Sequence, residues 1–207
     1  MKYRSEICLY NMSFHAVKFK TKILYRKAPN DIRIDELRKW AKIFNKNNLT
    51  PIIENNISCG NLSFRLFQNE NKFIITASQM GFNKELPESG FVQIFDCNFD
   101  QGIVFALGER EPSSESMLHF AIYKAHPEIN AIFHGHNEKI LANSDKLNLI
   151  QTAKEEPYGT IALAYAVLDT LKDNKNNFIV MKNHGFVSVA KTLDEAGETA
   201  IKVLQSI

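Results

Sequence analysis

Two imidazoles separated by a single glycine, His134–Gly135–His136, are the residues of this chain best spaced to do chemistry together. On an extended strand, side chains two apart share one face, with backbones about 7 Å apart, so both rings can converge on one ion. Gly135 is expected to leave the opposite face unobstructed. A third histidine, His184, stands in Lys182–Asn183–His184–Gly185, between two strand-like runs. A tight turn is expected there, with Asn and Gly supplying positive φ. Three neutral imidazoles with an open fourth position make a catalytic rather than a structural zinc site. Spacing alone leaves a second reading standing: an H-x-H pair arises by chance, and a histidine after asparagine can be a plain turn residue.

The other titratable and soft residues narrow the class. His15 and His126 lack partner spacing and read as surface residues. His119 falls four residues after Glu115 on one helix face, where it either orients the acid or packs. Cys8, Cys59 and Cys97 show no C-x-x-C spacing, so reduced thiols and a cytoplasmic setting are expected. A net charge of +2 and a pI near 8.3 are too mild to argue for nucleic acid, though they suit a small anionic substrate. No apolar run approaches the roughly 18 residues of a membrane span. The N-terminal apolar stretch is broken by Glu6 and Asn11, which makes it a poor signal peptide.

The elements that must carry these residues follow from periodicity. Ala16 to Tyr25 alternates apolar and basic residues, as a half-buried strand does. From Asp31 to Asn45, Ile34, Leu37, Trp40, Ala41 and Phe44 recur at helical spacing. Short strand-like runs at 60–67, 72–76, 91–95 and 102–107 read as an antiparallel meander. Pro112–Ser113–Ser114–Glu115 opens a helix through Lys124, with the acid in its first turn. Strands are expected at 131–136, 178–182 and 187–190, and helices at 161–171 and 194–204. The fold class is therefore α+β: a central, mostly antiparallel β-sheet flanked by helices.

Ordered blocks of the chain resemble the class II aldolase/adducin family. They are Gly60–Asn61–Leu62–Ser63–Phe64–Arg65, then Ile75–Thr76–Ala77–Ser78, then Pro112–Ser113–Ser114–Glu115 running into His134–Gly135–His136, and last Lys182–Asn183–His184–Gly185. The match runs from about Asp31 to the C-terminus, leaving residues 1–30 as an extension that can add a strand, with 31–207 as the family-like domain. The resemblance implies an α/β/α sandwich and Zn²⁺, or another divalent transition metal, on His134, His136 and His184. It implies that Glu115 is both a ligand of the resting metal and the base or acid for an enediolate proton. It places a substrate phosphate among Gly60, Asn61, Ser78, Ser113 and Ser114, with the helix N-terminus favouring the anion. A homotetramer with active sites at subunit interfaces is the family's habit and the expectation here.

The function so implied is a metal-dependent lyase that reversibly cleaves a phosphorylated ketose. A sugar-phosphate epimerase, a methylthioribulose-phosphate-type dehydratase and a non-catalytic adducin-like binding domain share the fold. Epimerases typically lack an acid at the place of Glu115, and adducin-type domains lack the histidines. This chain departs from the aldolases at two points. It reads Thr76–Ala77–Ser78–Gln79 where they have Thr-Pro-Ser-Gly, and its segment from His136 to Pro157 is shorter, removing the loop that carries a tyrosine acid.

Overall fold

A computed structural model of the chain describes residues 19–172 and 177–207. Of the alternating stretch 16–25, residues 16–18 lie outside the described residues, and Lys20–Tyr25 forms strand β1. His15 and Cys8 lie outside them too. Helix α1, Ile34–Lys46, buries Ile34, Leu37, Trp40, Ala41 and Phe44, the expected stripe. Asp35 and Glu36 in its first turn and Lys46 in its last complement the helix dipole. Each large apolar side chain so buried contributes about 1.5–3 kcal/mol. A ribbon of β2 (Ile52–Ile53) and β3 (Ile57–Ser58) follows, which periodicity could not show because each strand is two residues long.

The meander is present as β4 (Gly60–Arg65), β5 (Phe73–Thr76), β6 (Phe91–Asn98) and β7 (Ile103–Leu107), each antiparallel to the next. After α2 (Ser116–Ala125) come β8 (Ala131–Gly135), α3 (Glu138–Ala142), β9 (Ile150–Gln151), α4 (Ile161–Lys172), β10 (Phe178–Met181), β11 (Gly185–Ala190) and α5 (Leu193–Gln205). Among the described residues one sheet runs in the order β1-β7-β6-β5-β4-β8-β11-β10-β9. Its edge strands β1 and β9 pair parallel to β7 and β10, and every other pairing is antiparallel. The α+β class holds. Helix α3 and strand β9 are additions that the sequence pattern did not reveal. No described helix is long and apolar enough to cross a membrane.

The sheet separates two cores. On one face, α2 and α4 bring Met117, Phe120, Ile122, Leu163 and Val167 against Phe73, Ile75, Ile132 and Val187. On the other, α1 and α5 bring Trp40, Phe44, Ala196 and Ala200 against Leu62, Phe64, Phe133 and Phe186. Strand alternation makes this division: Leu62 and Phe64 face the α1 side, so Asn61, Ser63 and Arg65 face α2. In β8 the same rule sends Phe133 to the α1 side and His134 to the α2 side. Gly197 of α5 leaves room for Trp40, since a Cβ there would stand 2.3 Å from its ring. The indole N–H donates to Asp194 at 2.8 Å.

Candidate metal centre

The three histidines meet at the ends of strands. His134 is the last but one residue of β8, and His136 follows its end, where its N–H donates to the Leu49 carbonyl at 2.7 Å. His184 caps the turn between β10 and β11, its N–H bonded to the Met181 carbonyl. Asn183 adopts the left-handed conformation (φ 56°) that this turn requires. Gly185, expected to share that duty, does not: among the described residues it has no positive φ. It is needed for close approach instead, because a Cβ there would lie 2.4 Å from the Gly135 carbonyl oxygen and 3.0 Å from the His134 ring. The face opposite the histidines at Gly135 is likewise not open. A Cβ on Gly135 would meet the Leu49 carbonyl at 2.4 Å and the Phe186 ring at 2.6 Å. The neighbouring α1-side core fills the space that alternation alone left unassigned.

The imidazole ring centroids lie 4.6 Å (His134–His136), 5.1 Å (His134–His184) and 5.0 Å (His136–His184) apart. One ligand-type nitrogen from each falls within 4.8 Å of the others, so the group can hold a metal ion. The Nδ1–H of His134 donates to the Phe186 carbonyl at 2.8 Å, which turns Nε2 toward the cluster. That Nε2 stands 2.9 Å from His136 Nε2 and 2.8 Å from Glu115 Oε2, while His184 Nε2 lies 3.4 Å from Glu115 Oε1. These are mainly electron-pair donors converging on each other. A positive centre, whether a proton or a metal ion, must sit among them to offset the repulsion.

Glu115 enters from α2, but not from its first turn as the sequence suggested. It is the N-cap residue, with φ −101° and ψ 15°, and the helix begins at Ser116. Its side chain makes no cap hydrogen bond and turns to the histidines. Burial pushes its carboxyl up, yet His134, His184 and His136 outweigh that and hold it well below the ordinary carboxylate range. The Asn61 amide donates to Oε2 at 3.2 Å, while buried Oε1 has no hydrogen-bond donor. Asn61 pairs with His134 across β4 and β8, which brings both to the carboxylate. The donor set of three imidazoles and one carboxylate fits a divalent transition metal.

All the sequence-derived site residues line one cavity of about 490 Å³: Gly60, Asn61, Ser78, Ser113, Ser114, Glu115, His134, His136 and His184. Local bonding divides their duties. Gly60 (φ +127°) packs so closely that a Cβ would lie 2.6 Å from the His134 carbonyl oxygen, a structural need for glycine beside any ligand role. The Ser78 N–H is committed to the Glu111 carbonyl at 2.9 Å. Ser113 accepts the Glu115 N–H on its hydroxyl and the Ser116 N–H on its carbonyl. Gln79 lines the cavity in the left-handed backbone conformation (φ 60°).

Arg110, which the sequence pattern does not single out, and Tyr158, the nearest tyrosine to the shortened segment but one that no motif marks as a site residue, also line the cavity. Arg110 lies in a polar turn beside Glu109 and Glu111, and nothing in that pattern separates a ligand-facing cation from a solvated one. His119, left between two roles, is fully buried with Nδ1 at 2.7 Å from the Ser63 hydroxyl, and no hydrogen bond joins it to the Glu115 carboxylate. His126 pairs with Glu128 at the surface.

Residues 35–206 match the family described as Class II Aldolase and Adducin N-terminal domain, and the chain belongs to that family. It is 32% identical over 155 residues to an L-fuculose phosphate aldolase of Methanococcus maripaludis strain C5, covering 67% of this chain and 76% of that protein. With the L-fuculose phosphate aldolase of M. maripaludis strain S2 it is 32% identical over 100 residues, 42% of this chain; the match spans 53%, about half, of that relative. Among solved structures, an L-fuculose 1-phosphate aldolase superposes with a TM-score of 0.66 at 23% identity, over 86% of each chain, which establishes the shared fold.

Proposed function

We propose that the chain is a metal-dependent lyase that reversibly cleaves a phosphorylated ketose, with a zinc-type divalent cation held by His134, His136, His184 and Glu115. The observation that carries this reading is the convergence of three imidazoles and one buried carboxylate at a cavity sized for a small sugar phosphate. When bound, the cation supplies a Lewis acid that polarises a carbonyl and draws charge from the adjacent carbon. Three nitrogen ligands with room for substrate oxygen favour zinc.

The chain's own residues supply the rest. The Phe186 carbonyl fixes the His134 tautomer, so Nε2 offers its electron pair to the site. Asn61 holds Oε2 of Glu115 and leaves Oε1, which lacks a donor, to take or return a proton at the carbon beside the carbonyl. The carboxyl is ionised throughout the neutral range, as a base must be. Ser113, Ser114 and the Ser78 hydroxyl, beside the α2 N-terminus, suit the phosphate.

The test is to load the purified chain with Zn²⁺ or Co²⁺ and add pentulose and deoxyhexulose 1-phosphates. Release of dihydroxyacetone phosphate, read by a coupled reductase, is the expected result. No triose from any of them, with water loss seen instead by NMR, would replace the aldolase reading with the dehydratase one.

A further inference from the structure

One face of β4 and one face of α2 are joined by polar contacts along their whole shared length. Asn61 meets Glu115 (3.2 Å), and Ser63 meets both His119 Nδ1 (2.7 Å) and the Tyr123 hydroxyl (2.8 Å). Arg65 donates to the carbonyls of Tyr123 (2.7 Å) and His126 (2.8 Å), at the end of the same helix. The strand members are two residues apart, and Glu115, His119 and Tyr123 are four apart. Two strand residues advance about 6.6 Å and four helix residues about 6 Å, so the two series stay in step over the contact.

Stability alone does not explain this seam. Ser63, His119 and Tyr123 are completely buried and Arg65 nearly so, where apolar side chains of similar size would pack at no desolvation cost. The second ring nitrogen of His119 has no hydrogen-bond partner, and burial keeps the ring neutral. Arg65 satisfies its guanidinium on the carbonyls of Ile129, Tyr123, His126 and Glu70, with its charge facing the negative end of α2. The hydrophobic effect is non-directional, whereas hydrogen bonds at matched spacing add a directional restraint on the helix register. The register matters at one place above all: the N-cap of α2, where Glu115 must reach His134 on the strand next to β4.

We infer that Ser63, His119 and Tyr123, anchored by Arg65, are positioning residues that set the Glu115 carboxylate against the histidines by fixing the register of α2 on β4. This rests on the metal-site reading above and adds to it residues that touch neither metal nor substrate. Ser63 is the pivot, because its hydroxyl bonds side chains from two successive turns of the helix.

The experiment is a double-mutant cycle on the full chain, with Co²⁺ affinity and its visible absorption spectrum as readouts. Ser63→Ala and His119→Leu should each weaken Co²⁺ binding about tenfold and alter the spectrum. In a Glu115→Gln background the same changes should cost less than about twofold, since the positioned group is gone. His119→Asn, whose amide can replace Nδ1 toward Ser63, should restore most of the affinity. Equal losses in both backgrounds, or no loss in either, would overturn the inference. If His119→Leu does not fold, Ser63→Ala and Tyr123→Phe carry the cycle.

A native chain that takes up no Co²⁺ refutes the metal reading, and the positioning role is then judged on the metal-free protein. There the coupling between Glu115→Gln and His134→Asn, measured by denaturant midpoints, should shrink when Ser63 is alanine. An unchanged coupling would overturn it.

Discussion

The two faces of the central sheet are built by the same strands and do different work. Toward α1 and α5 lies an aromatic core in which Phe44 packs edge-on against Phe133 at 5.2 Å and near Trp40 and Phe186 at 6.3 Å each. Toward α2, the apolar core is crossed by the Asn61–Ser63–Arg65 row and its helix partners, which ends at the histidines. One face gains its free energy from area and shape. The other spends desolvation on directional bonds and places a carboxylate. A strand that alternates Leu62 and Phe64 with Asn61, Ser63 and Arg65 serves both ends at once.

The sharpest way to break this division is to damage each face separately. Phe44→Ala should destabilise the chain by about 3–5 kcal/mol, through lost burial and the cavity left behind. Its folded fraction should bind Co²⁺ as the native chain does, which denaturant unfolding with a metal titration will check. A site that loosens in proportion to stability would erase the distinction. Glu115→Gln should do the reverse: turnover in the triose-release assay falls by about 10²–10⁴ while circular dichroism and cooperative unfolding persist.

Gly185→Ala tests the point where the faces meet, since its Cβ would press on the Gly135 carbonyl and the His134 ring. It should cost about 1–3 kcal/mol in thermal stability and weaken metal binding together. Retention of native affinity would show that the β8–β11 contact does not set the site.

The smallest effect concerns His119, whose pKa burial pushes down to about 3. Because the ring is neutral in the folded chain and ordinary in the unfolded one, the unfolded state binds more protons between pH 6.5 and 3. Stability is therefore complete above pH 6.5 and falls with pH below it, by roughly 1 kcal/mol per unit. His119→Asn should flatten that slope in denaturant melts at pH 6.5, 5.5 and 4.5, and leave pH 8 stability near native. An unchanged slope would mean that His119 is charged in the folded state.

Much of this architecture is legible in the sequence. The stripe Ile34–Leu37–Trp40–Ala41–Phe44 announced its helix because apolar spacing is local information, and the meander announced itself by alternation and turns. Strands of two residues, such as β2, β3 and β9, carry no period to detect. Pro112 and the serines look like a cap in the sequence, whereas Glu115 holds the N-cap position while its side chain turns to the histidines. The Asn61 amide donates to Glu115, a contact that the sequence pattern does not show. That contact joins residues 54 positions apart, beyond the reach of any spacing rule.

By itself the sequence determined the class of the fold, the family and the side-chain types able to hold a metal, since these depend on side-chain chemistry, local periodicity and ordered blocks. It named His134, His136, His184 and Glu115. Only the tertiary structure decided that these four share one cavity, that Gly135 and Gly185 exist for close contact, and that Ser63, His119 and Tyr123 bind α2 to β4. Those facts depend on which strand lies beside which and how far a helix has slid along it. Such relations are settled by packing between distant segments, and no single stretch of chain contains them.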